Sequence, residues 1–286
     1  MREIGRGDER YPAVFLERGD GPRSFFAIGD ETILDMAPNR LVAIVGTRDA
    51  SPYGVRATVA LARAFAGAGI GVVSGLARGI DAAAHRATLE AGGKTVAVMG
   101  TGVDVPYPVG HRALHSEVAA KGLVISENGP GTPAYQGCFP RRNRLIAALA
   151  RVTIVVEAPY KSGAINTATQ ALDAGRVVAA VPGPIDSPRS AGANLLLRDG
   201  AQVIHSVDDA LMLFGLTAAK RGGAATLGGV EAAVWAALDA GSASVDALAD
   251  RSGLAPRLTL EGVARLELNG MVRLGAGGEV ERVAMG

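Results

Sequence analysis

Cations recur in this chain just past short apolar runs, and they stand among glycines. Leu41–Val45 is followed by Gly46, Thr47 and Arg48, and Ile70–Val73 by Ser74, Gly75, Leu76, Ala77, Arg78, Gly79, Ile80 and Asp81. Val152–Val156 leads to Lys161, Ser162 and Gly163, and Phe139, Pro140, Arg141, Arg142, Asn143 and Arg144 open a further helix. Guanidinium forks match phosphate. Glycine turns let the backbone approach an anion, and a helix N-terminus aims orphan N–H groups and its dipole at negative charge. Four of the five tyrosines, Tyr53, Tyr107, Tyr135 and Tyr160, lie in or beside the same loops, as does Phe139, although the chain is only 4% aromatic. The pattern points to a phosphate-rich ligand. Any one of these arginines can instead pair with Asp81, Asp104 or Glu157 as a structural ion pair. Arg142 and Arg144 straddle Asn143, so at least one is expected to point inward and fix the loop.

Six short strands and their helices position these groups. The strands are Leu41–Val45, Ile70–Val73, Thr95–Met99, Leu123–Ile125, Val152–Val156 and Val177–Val181. Helical periodicity follows the first at Val55, Val59, Ala62 and Ala66, behind the cap signal Ser51-Pro52. Fully apolar strands alternating with helices predict an α/β fold, an extended Rossmann-like parallel sheet with helices on both faces. Every post-strand loop then lies on the carboxyl edge, where such folds bind ligands. Residues 1–10 read as frayed, and Tyr11–Asp35 as a short strand or cover with Phe25 and Phe26 buried. The Gly/Ala-rich stretch Ala218–Thr226 reads as a linker. The expected organisation is a first domain over 1–214, a flexible linker over 215–228 and a winged-helix-like domain of three helices and a hairpin over 229–286. Leu195–Leu197, Ile204 and Leu211–Phe214 supply more apolar side chains than one closing element needs. They serve either burial or an interface.

Composition narrows the function. A net charge of +1 over 286 residues gives no bulk basic field, so an anion site must be a local cluster. The single cysteine, Cys138, rules out a disulfide framework and a Cys-based zinc site, and fits a reducing cytosol. No apolar run is long enough to span a membrane, and the charged stretch Met1–Asp20 is not expected to be a signal peptide. His111 and His115, four apart near Glu117, read as surface polar residues, so neither metal nor cofactor is expected. Asp81 and His85 read as orienting the turn and capping its helix. Residues 227–286 hold five Lys/Arg against eight Asp/Glu, a net −3. This tail is therefore expected to contact protein rather than to read duplex DNA.

Taken together, Val42–Arg48, Ser74–Asp81 with Ala84-His85, Ser126-Glu127 with Pro130-Gly131, Phe139-Pro140 with Arg142-Asn143-Arg144, and Lys161-Ser162-Gly163 resemble the DNA-processing protein A (DprA/Smf) family. The resemblance covers roughly Tyr11–Ala201. It implies a non-enzymatic, cytoplasmic, homodimeric protein that binds single-stranded DNA and loads the RecA recombinase during natural transformation. The implied nucleic-acid-binding set is Gly46, Thr47, Arg48, Ser74, Gly75, Arg78, Gly79, Phe139, Arg141, Arg142, Asn143, Arg144, Lys161, Ser162 and Gly163. The implied dimer interface lies near Leu195, Leu197 and Ile204. Asn128 and Gly129 stand where the family often has an aromatic residue and a proline, and His111 where it often has Asn. The rival is a Rossmann-like nucleotide phosphoribohydrolase. Aligning that group's Gly-rich pattern on Ser162–Thr167 puts Gln170 at the catalytic glutamate, and an amide cannot move a proton. Glu157 or Asp81 would have to substitute.

Overall fold

Runs such as Leu41–Val45 and Thr95–Met99 are buried along their whole length, as a sheet covered on both faces requires. The computed structural model describes residues 1–17, 19–216, 229–268, 271–275 and 278–282. The chain divides into two units, Met1–Thr217 and Ala218–Gly286. The linker expected over 215–228 lies, for 217–228, outside the described residues.

In the first unit the strands are β1 (Arg2–Gly5), β2 (Ser24–Gly29), β3 (Leu41–Val45), β4 (Gly71–Ser74), β5 (Thr95–Met99), β6 (Leu123–Ser126), β7 (Val152–Val155), β8 (Val177–Ala180) and β9 (Gln202–Val203). The helices are α1 (Pro52–Gly67), α2 (Ile80–Glu90), α3 (Arg112–Lys121), α4 (Cys138–Leu149), α5 (Gly163–Asp173), α6 (Ala191–Arg198) and α7 (Val207–Met212). The nine strands lie in the order β1-β2-β6-β5-β4-β3-β7-β8-β9. β6 through β9 are mutually parallel, whereas β2 runs antiparallel to β6 and β1 to β2. The chain winds outward from β3 to β6 and then returns to place β7 on the other side of β3. That reversal opens a crevice between the carboxyl ends of β3 and β7.

Alternation along β3 separates the two cores. Leu41, Ala43 and Val45 face the α4 and α5 side with Leu145, Ile146 and Ala168, while Val42 and Ile44 face Leu61, Phe65 and Ala84 of α1 and α2. Three expectations need correction. Residues 2–5 are not frayed: they pair with β2, where Ile4 and Phe25 are buried and Phe25 meets Tyr11 and Phe15 at 5.9 and 5.8 Å. Phe26, on the other face of β2, is only half-buried. Ile204 is buried in the chain's own core and cannot present an interface. Leu196 and Leu197 of α6 lean on the core, whereas Leu195 joins no apolar cluster among the described residues.

The second unit holds α8 (Val230–Ala237), β10 (Ala243–Ser244), α9 (Val245–Ser252), α10 (Pro256–Leu268), β11 (Val272–Leu274) and β12 (Glu279–Arg282). Its three helices enclose Val234, Leu248, Val263 and Leu266 beside a three-stranded sheet ordered β10-β12-β11, a winged-helix arrangement. Among the described residues no helix is long and apolar enough to cross a membrane.

Candidate functional site

Three N–H groups of the turn after β4, expected to face an anion, are taken up by the protein itself. The Asp81 carboxylate, in the first turn of α2, accepts from Gly75 N at 3.1 Å and Ala77 N at 3.4 Å, and Ile80 N donates to Thr47 O at 3.2 Å. Ser74 is fully buried, its hydroxyl donating to Ile44 O at 2.7 Å. The glycines clear space for the protein itself. A Cβ on Gly75 would lie 2.5 Å from the Arg142 guanidinium, and one on Gly79, at φ +74°, would lie 2.3 Å from Thr47 O. Between them Leu76 takes the left-handed conformation at φ +55° while fully buried, a strained state that only its surroundings can hold. His111 helps, its Nδ1 bonding Leu76 O at 2.9 Å, and His115 Nε2 bonds Val103 O at 2.9 Å. Expected at the surface, this pair ties loops down instead.

Arg142 is the inward arginine expected of the Arg142–Arg144 pair. Its Nη1 donates to Gly75 O at 2.9 Å and to Val98 O, so it joins the ends of β4 and β5 to α4 from inside. Burial pushes its pKa down to about 10 against the opposing pull of Asp81, and burial pushes the Asp81 carboxyl up despite Arg142 and the two amide donors. Asn143 is likewise inward, its amide donating to Gly163 O at 3.2 Å and Asn166 Oδ1 at 3.0 Å. Arg144 pairs with Glu127 at 2.6 Å, and the exposed Arg141 reaches the same carboxylate at 3.0 Å. The acid that gathers these arginines is thus Glu127, to which sequence reasoning assigned no role. Of the three acids named as partners, Asp81 faces Arg142 as well as the turn, and the other two are engaged elsewhere. Asp81 holds the turn, Asp104 accepts from Gly131 N at 2.8 Å, and Glu157 accepts from Ser51 N at 2.9 Å and Ser51 Oγ at 2.6 Å, fixing the start of α1. A carboxylate one residue beyond a strand end, facing a run of arginines, was the signal available for Glu127.

Deep beside this floor, His85 donates from Nδ1 to Thr95 Oγ1 at 2.7 Å. The tautomer follows because the Thr95 hydroxyl proton is already spent on Val72 O at 2.8 Å. Nε2 has no partner among the described residues. Burial, then the charge of Arg142, lowers the His85 pKa to about 3.

Above the floor lie two adjoining clefts that share Arg48, Ala77, Phe139 and Arg142. One reaches Arg78, Tyr107 and Pro108; the other, of about 460 Å³, reaches Gly46, Thr47, Ser162, Gly163 and Thr167. Together they form a trough across the crevice between β3 and β7. Arg48, Arg78 and Lys161 are exposed and make no ion pair among the described residues. Phe139 stacks on Tyr107 with centroids 5.0 Å apart and an interplanar angle of 32°, and the Arg48 guanidinium sits 5.6 Å from the Phe139 centroid. Tyr53, by contrast, donates to Pro182 O at 2.9 Å and stands outside the trough. Among the described residues no three His, Cys, Asp or Glu gather to hold a metal ion.

Residues 2–215 match the family described as DNA recombination-mediator protein A, and residues 218–278 match the DprA winged helix domain. A putative DNA processing protein DprA of Mycobacterium tuberculosis is 44% identical over 261 residues, 88% of this chain and 67% of that protein. The DNA processing protein DprA of Streptococcus pneumoniae is 41% identical over 207 residues, 72% of each chain. The X-ray structure of DprA from Streptococcus pneumoniae matches with a TM-score of 0.69 and 39% identity, covering 74% of this chain and 73% of that one. A Helicobacter pylori DNA processing protein A, whose structure concerns its single-stranded DNA binding mode, matches with a TM-score of 0.66 and 32% identity, over 74% of this chain and 95% of its own.

Proposed function

This chain belongs to the DNA recombination-mediator protein A family, and on that premise we propose that it binds single-stranded DNA along the trough and passes it to the RecA recombinase during natural transformation. It acts without catalysis, as a homodimer, in the cytosol. The observation that carries the binding is the union of free exposed cations with a stacked aromatic pair over the sheet's switch point. Arg48, Arg78, Arg141 and Lys161 meet phosphates, Arg141 exchanging Glu127 for one of them. Gly46, Thr47, Ser162 and Gly163 line the path, and bases stack at Phe139 and Tyr107. Ser74, Gly75, Gly79, Arg142, Asn143 and Arg144 build the floor rather than touch the strand. The family's description as a recombination mediator supports the transfer step. A phosphoribohydrolase reading has little to work with, because Glu157 and Asp81 are both committed to loop hydrogen bonds.

Salt titration tests the reading. Four phosphate contacts on a single strand predict roughly a 50-fold loss of affinity between about 50 and 200 mM salt, from a slope of about −0.7 per contact. Arg48→Ala and Arg78→Ala should each weaken binding to all sequences alike and flatten the slope by about one contact's share. Parent-like affinity and slope in both variants would remove the trough as the site. Release of a free base from nucleoside monophosphates, lost in Glu157→Gln, would favour the hydrolase instead.

A further inference from the structure

Beside the trough lies a second, shallower cleft, of which the reading above uses only Lys161. The loop after β7 and the loop after β8 emerge together because the two strands are parallel neighbours. Between them Pro159, Tyr160 and Lys161 face Ile185, Asp186 and Pro188. Tyr160 is 61% exposed and Ile185 is 99% exposed. These side chains are presented by a braced scaffold. Asn194 exchanges two hydrogen bonds with Gly183, at 3.1 and 3.0 Å. Gly192 N donates to Ala158 O at 2.7 Å, and Arg189 clasps Asp49 at 2.5 Å. The braced loops hold Tyr160 and Ile185 out in water on the two sides of the cleft.

Two features identify the occupant. Pro159 lines both this cleft and the trough, so the two adjoin. The chemistry is an aromatic face and an aliphatic wall with one exposed lysine, the combination that takes a base and its phosphate. We propose, resting on the single-strand reading above, that this cleft is a base subsite. One unstacked base of the strand leaving the trough lies on Tyr160 against Ile185, with its phosphate at Lys161. Asp186 repels phosphate and accepts hydrogen bonds, so it suits an amino-bearing base edge and confines the backbone to the lysine side.

Fluorescence anisotropy of the full chain with oligodeoxycytidylates of increasing length tests this. Tyr160→Ala and Ile185→Asp should bind the shortest retained oligomer like the parent. They should lose about tenfold on longer ones, and Tyr160→Ala should leave the salt slope unchanged. Both side chains are exposed, so melting temperatures should match the parent and exclude a folding defect. Arg48→Ala should weaken every length, which keeps the trough under separate test. If the two cleft variants bind all lengths like the parent while Arg48→Ala does not, the subsite is refuted and a protein partner becomes the occupant to pursue. An equal loss at every length refutes it as well, by moving Tyr160 into the trough.

Discussion

Arg142 carries the floor of the trough, and its loss should be read in stability before binding. Arg142→Ala strands the carbonyls of Gly75 and Val98 and removes the positive partner of the buried Asp81. A loss of about 3 kcal/mol is expected in urea unfolding. His85 gives the residue-scale pH prediction. Its folded pKa of about 3 lies below the ordinary 6.5, so between those values the unfolded chain takes up a proton that the native ring refuses. Stability from this residue is complete above 6.5 and is lost as pH falls towards 3. His85→Gln should therefore show a shallower decline of melting temperature between about pH 7 and pH 4; an identical decline would assign the acid sensitivity elsewhere. At this scale the sequence was only half legible. A Gly-rich turn before a helix looks the same whether the anion it cradles is a ligand or, as here, the chain's own Asp81. The exposed Arg48, Arg78 and Lys161 could be read because nothing local competes for them.

At the scale of elements, the winged-helix unit should not read duplex DNA. Of the five arginines in residues 229–286, Arg265 is held by Glu231 and Glu261, Arg273 by Glu281, Arg282 by Asp239 and the Trp235 ring, and Arg251 by Gly241 O. Only Arg257, at the start of α10, makes no polar contact among the described residues. Arg257→Glu in the full chain should leave duplex affinity and its salt dependence unchanged in a gel-shift; a clear loss would make α10 a DNA-contacting helix. The six parallel strands were legible because burial on both faces leaves unbroken aliphatic runs. β1 and β9 were not. β1 buries only Ile4 fully, and β9 is a two-residue edge strand with both side chains exposed. Backbone pairing rather than apolar pattern defines each.

The whole molecule divides its charge unevenly. With −3 in residues 227–286, residues 1–226 carry +4, and the unpaired part of that surplus includes the trough. Assembly is expected through α6, where Leu195 is the leucine not committed to the core. Leu195→Glu should sediment as a folded monomer, while an unchanged dimer would move the interface to another face. The Arg142 bridge also bears on when the protein becomes competent. Its hydrogen bonds close separations of 67 residues to Gly75 and 44 to Val98, and contacts so distant along the chain form late. A ribosome adding about 5–20 residues per second delivers Arg142 several seconds after Gly75. Until then the strained Leu76 turn lacks its clamp and α4 has not yet formed the wall that carries Phe139. A nascent chain that ends before Arg142 therefore lacks the floor on which the proposed trough rests, although six of the nine strands are already made.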